Sequence, residues 1–187
     1  AESLASKGYI VASIDHTDST YESEQNFFST LYNRPLDQRF VLANLAEVEE
    51  SGPLFGMIDT DSTGIIGYSM GGYGLINNLG GAYNPEMVDS FMAPPNGLLA
   101  EHAESNPAFK NNLDPRIKAG VAVGPWGMNN GLWRADGLAG ITVPTLYIAG
   151  SADAVSGYAN GTRAIFEGAV NSDRYLLTFK NAGHNAA

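Results

Sequence analysis

TGIIGYSMGGYGLINNL, residues 63–79, passes from a short apolar run through a serine into small and apolar residues at helical spacing. Residues 63–68 read as a buried strand and 70–79 as a helix, so strand, turn and helix adjoin at Ser69. Gly67-Tyr68-Ser69-Met70-Gly71 is a G-x-S-x-G sequence. With 22 glycines among 187 residues the spacing alone is weak, since roughly 0.2 such matches arise by chance. Context carries more. A serine between a strand and a helix sits on a sharp, strained turn that exposes its hydroxyl, the arrangement expected of a nucleophile, whereas an incidental tight turn is the plain alternative.

Outward from this turn the apolar runs repeat. IKAGVAV (117–123), PTLYIAG (144–150) and YLLTF (175–179) follow it, and YIVASID (9–15) precedes it; each reads as a buried strand. Residues 35–50 predict a helix, with Pro35 in its first turn, Leu36, Phe40, Val41, Leu45 and Val48 at helical spacing, and Ser51-Gly52-Pro53 as its stop. Residues 1–8 read as the end of an amphipathic helix stopped by Gly8, and 157–169 as a further helix. The Asn-, Pro- and Gly-rich stretch 80–115 predicts a long excursion with at most one short helix. The expected fold is α/β: a mostly parallel sheet flanked by helices on both faces, with sites beyond the carboxyl ends of its strands.

A serine hydroxyl needs a base, and the base needs an orienting acid. His184, in a small-residue loop after the last strand, is the candidate base. His16 follows a strand but stands in the wrong chain order, and is expected to be structural or at the rim. His102, within the polar excursion, is expected to be exposed. Asp153, directly after PTLYIAG, is the candidate acid, and a capping aspartate is its plain alternative. Asp136 and Asp173 are weaker rivals in polar connections. The N-H of Met70, next after the serine, is the expected oxyanion donor. Trp126 follows the strand 117–123 and is expected to line the substrate-binding wall, with a packing role as the alternative. Tyr68 is a further substrate-binding candidate, although packing is the plainer reading for it as for Tyr73 and Trp133. No His, Asp or Glu cluster has metal-ligand spacing, and no cofactor is implied.

Composition narrows the classes. A chain of 187 residues, 44% hydrophobic, suits one domain over 1–187. A formal charge of −10 disfavours nucleic acid as a partner. Without cysteine there is neither a disulfide framework nor a thiolate nucleophile in this stretch. No apolar run approaches the roughly 20 residues that span a bilayer. Localisation and oligomeric state are not legible.

GYSMGG at 67–72, the GSAD that ends at Asp153 and Gly183-His184 resemble the dienelactone-hydrolase-like branch of the α/β-hydrolases, over essentially the whole chain. Dienelactone hydrolases proper carry a cysteine nucleophile. With Ser69 the chain looks more like the serine members, the platelet-activating-factor acetylhydrolase type and the cutinase-like polyesterases; the latter share the G-x-S-M-G-G turn and often a Trp where Trp126 falls. ASIDHTDSTY (12–21) with NRPLDQRFVL (33–42) is similar to the segment before the nucleophile strand in that branch. The resemblance implies an α/β-hydrolase fold and hydrolysis of small-molecule or polymeric esters through an acyl-enzyme; thioesters are close relatives. It also implies that three strands and a histidine-glycine oxyanion loop precede residue 1, and that the domain is cut just after His184. A non-catalytic binding module on the same fold is the rival from another class.

Overall fold

The computed structural model describes residues 1–17, 19–20, 27–52 and 54–185, and its centre is one four-stranded sheet. Strands β1 (Thr63–Tyr68), β2 (Ile117–Val123), β3 (Thr145–Gly150) and β4 (Arg174–Phe179) lie in the order β1-β2-β3-β4, every pair parallel. Their apolar runs are the ones expected, within a residue at either end. Ile66 pairs with Val121, Val121 with Leu146 and Leu146 with Tyr175, so single rows of side chains cross the whole sheet. Parallel strands require crossovers, and helices supply most of them.

The helices are α1 (Glu2–Ala5), α2 (Phe27–Ser51), α3 (Met70–Asn78), α4 (Ala108–Asn111), α5 (Ala135–Leu138) and α6 (Arg163–Gly168). Helix α3 packs against β1 and β2, α2 lies outside it, and α6 reaches β4. Leu75, Ile76 and Leu79 from α3, Tyr147 from β3 and Ile165 from α6 join one buried core. Phe166 of α6 meets Tyr147 edge-on at 6.1 Å. Among the described residues no helix is long and apolar enough to cross a membrane.

Several expectations need correction. Residues 9–15 form no strand: Tyr9 is 63% and Ile10 51% exposed, so this apolar run finds no face to bury against, and among the described residues β1 pairs with β2 alone. Among the described residues helices cover one face of the sheet and not both: opposite α3 and α6, Ile66 is 60% and Tyr175 65% exposed. Helix α2 begins at Phe27 and holds Pro35 in its interior instead of its first turn; it ends at Ser51, within the expected Ser51-Gly52-Pro53 stop, of which Pro53 lies outside the described residues. A proline there cannot donate to the Leu31 carbonyl. That oxygen instead receives the hydroxyls of Tyr73 and of Tyr83, the latter at 2.9 Å.

The excursion 80–115 contains three short helical pieces, Pro85–Met87, Pro95–His102 and α4, and it is not merely surface. Tyr83, Leu99 and Ala103 are fully buried in the core, because Tyr83 carries its ring from this stretch into the gap between α2 and α3. The helix expected over 157–169 appears as a π turn, Tyr158–Thr162, running into α6.

Candidate active site

Ser69 stands between the last residue of β1 and the first of α3, with a φ of +52°. Few residues other than glycine hold that conformation, and here the neighbours enforce it. The Ser69 N-H donates to the Val123 carbonyl (2.9 Å), and its own carbonyl accepts from Tyr73 N (3.0 Å) and Trp126 N (3.1 Å). The turn is tight. A Cβ on Gly67 would lie 2.3 Å from the Gly71 carbonyl oxygen, so the first glycine of the motif is required by the close approach of the helix.

Two loops bring the partners. After β3 the chain turns through Asp153, and after β4 it turns through His184; the Ala152 N-H donates to the Ala182 carbonyl (2.9 Å) and joins them. His184 Nε2 lies 3.0 Å from Ser69 Oγ, and His184 Nδ1 lies 2.8 Å from Asp153 Oδ2. The other carboxylate oxygen, Oδ1, accepts the N-H groups of Val155 (2.8 Å) and Ser156 (3.0 Å). Burial works to raise the Asp153 carboxyl. The His184 hydrogen bond and those two backbone donors outweigh it and hold the group below the usual carboxylate range, hence ionised. An ionised Asp153 accepts only, so Nδ1 carries the proton and Nε2 is left to accept from the serine hydroxyl.

The three residues therefore meet at the carboxyl ends of β1, β3 and β4, where open parallel sheets place their sites. Met70 opens α3, and its N-H is among the first-turn donors that no carbonyl within the helix can satisfy. Trp126, half-buried, meets Phe27 edge-on at 5.5 Å and Tyr73 at 6.2 Å. Tyr68 is turned to the histidine loop: its ring lies 5.1 Å from that of His184, and its hydroxyl donates to the Asn185 side chain. Tyr73 and Trp133 are buried, and Trp133 Nε1 donates to Asn77 Oδ1 at 3.1 Å.

The other histidines lie apart. His16 Nδ1 meets Asp37 Oδ2 at 2.7 Å, a tie from the incoming segment to α2. His102 was expected to be exposed and is buried, 7% accessible, among Tyr32, Tyr83 and Phe109, because the excursion folds inward there. Hollows of about 250 and 190 Å³ flank Phe109 and Asn106, lined largely by charged and amide side chains and by none of Ser69, Asp153 or His184. Among the described residues no group of three His, Asp or Glu side chains is placed to hold a metal ion.

Sequence reasoning missed Phe27, at the start of α2, and Gly124, Ser156 and Asn185, which loops bring to the site along paths that no local pattern reveals. Ser156 alone left a trace, three residues after the candidate acid, where a turn aspartate finds its backbone donors. Neither a family model nor a curated protein matches the chain.

Proposed function

We propose that the chain is a serine carboxylic ester hydrolase of the α/β-hydrolase fold, working through an acyl-enzyme. The observation that carries this is the unbroken hydrogen-bonded relay from Ser69 Oγ through His184 to Asp153 at the carboxyl edge of a parallel sheet. Ser69 attacks the ester carbonyl while His184 Nε2 takes its proton, and the ionised Asp153 orients the ring and stabilises the imidazolium. The Met70 N-H faces the oxyanion. Collapse of the tetrahedral species expels the alcohol, which leaves with the proton from His184. A water then repeats the cycle on the acyl-enzyme and releases the acid. Trp126, with Phe27 behind it, is the wall against which the acyl group lies; thioesters and polyesters are related substrates of the same machinery.

The test uses the intact protein with a p-nitrophenyl ester and a fluorophosphonate probe. Ser69 takes the probe, and Ser69→Ala loses it together with about 10⁴- to 10⁶-fold in turnover. A folded protein that takes no label, or a Ser69→Ala variant that keeps more than a tenth of the turnover, refutes the assignment.

A further inference from the structure

Three members of the relay come from three loops, yet one short turn touches all of them. The turn 123–126 leaves the end of β2 at Val123, whose carbonyl accepts the Ser69 N-H while the Trp126 N-H donates to the Ser69 carbonyl. The nucleophile's backbone is thus held on both sides by this turn. Gly124, at φ +50°, lies between them and against the other two members: a Cβ there would stand 3.2 Å from His184 Cε1, 3.3 Å from His184 Nδ1 and 3.5 Å from Asp153 Oδ2. Its N-H donates to Ile148 O of β3 at 2.8 Å. Its carbonyl accepts the hydroxyl of Ser156 at 2.8 Å.

Ser156 is fully buried and sits on the acid loop, where its own N-H donates to Asp153 Oδ1. One side chain therefore ties the loop that carries the acid to the turn that holds the nucleophile. With Oδ1 occupied by Val155 and Ser156, only Oδ2 faces His184. We propose that Ser156 is a positioning residue for the relay: by fastening Gly124 to the acid loop it sets the register of Asp153, His184 and Ser69 at once. This rests on the ester-hydrolase reading. A buried serine here is more than filler, because its removal frees the Gly124 carbonyl and loses the hydrogen bond that joins the acid loop directly to the turn, leaving the Asn129 bond to the Val155 carbonyl, 2.9 Å, further along.

Ser156→Ala and Gly124→Ala are measured with a p-nitrophenyl ester, with thermal midpoints alongside. A small displacement of reacting groups costs turnover steeply, so Ser156→Ala is expected to lower kcat by about 10- to 100-fold while KM stays within about twofold. The groups facing the His184 ring are Asp153, Ser69, Tyr68 and the Gly124 backbone. A loss confined to kcat in a folded variant, with KM retained, is what a purely structural role would not produce. Gly124→Ala, which presses a methyl group on the ring directly, should give the same kcat-selective loss, and it decides the matter if Ser156→Ala does not fold. A variant that is folded and keeps the kcat of the native enzyme overturns the proposal. If instead the native chain neither turns over the ester nor takes a fluorophosphonate, it is the hydrolase reading that fails.

Discussion

Burial of His102 has an energetic consequence that its neighbours set. It packs 5.1 Å from Phe109 and 6.1 Å from Tyr83, and its buried Nδ1 has no hydrogen-bond partner among the described residues. Burial, and then the nearby Arg39, drive its pKa down to about 4 from an ordinary 6.5, against a smaller opposing pull from Glu101. Because the folded value lies below the unfolded one, the unfolded chain binds the extra proton between pH 6.5 and 4, and stability is lost as pH falls through that window. The size follows from the shift: about 3 kcal/mol between pH 7 and pH 4. Burial lowers His16 as well, so it pulls in the same direction, and a comparison with His102→Phe cancels it. Urea unfolding at both pH values should show the native chain losing about 3 kcal/mol more than His102→Phe; parallel losses would mean that His102 is protonated in the fold without penalty.

At the scale of elements, α2 runs through Pro35 only because α3 and the excursion meet it. Proline in a helix interior ordinarily costs about 3 kcal/mol or more, in part through the carbonyl it leaves unpaired. Here that carbonyl, Leu31 O, receives Tyr73 from α3 and Tyr83 from the excursion, and the two hydroxyls also contact each other. The Pro35 carbonyl is taken by Asn78 Nδ2 at 3.0 Å. Burial raises both tyrosines above their ordinary range, so the hydroxyls stay protonated and can donate. Either Tyr→Phe change alone leaves one donor and should cost little. The double change orphans a buried carbonyl and should cost about 1 to 3 kcal/mol beyond the sum of the single changes. Restoring a donor with Pro35→Ala should shrink that excess, and an additive double variant would show that the tyrosines merely pack.

For the whole molecule, the open sheet face dominates behaviour in solution. Ile66, Val121, Leu146 and Tyr175 form one row, Tyr68, Val123, Ile148 and Leu177 the next, and none of these side chains is charged. Parallel sheets normally bury such rows under helices, and exposed apolar area on this scale favours association. Among the described residues no strand pairs with the outer edge of β1, which leaves further backbone groups open. Against this stands the net charge of −10, which keeps copies apart at low ionic strength. The 187-residue chain should therefore bind a hydrophobic dye and self-associate with rising concentration, more strongly in added salt, where repulsion is screened. Tyr175→Lys with Leu177→Lys should reduce both without lowering the unfolding midpoint, because both side chains are already exposed. Light scattering that shows a monomer at every concentration and salt level would count against this.

The amino-acid sequence by itself determined the four strands, the strained serine between β1 and α3, and the chain order of Ser69, Asp153 and His184. Each is a local matter: an apolar run, a glycine-flanked turn, a small-residue loop at a strand end. Only the tertiary structure decided that 9–15 stays outside the sheet, that α2 continues through Pro35, that His102 is buried and that Gly124 and Ser156 join the three loops. Those outcomes depend on partners far away in the chain. An apolar run is held as a strand only where it also finds a face to bury against, and an interior proline is tolerated only where the orphaned carbonyl finds donors, here 42 and 52 residues further along.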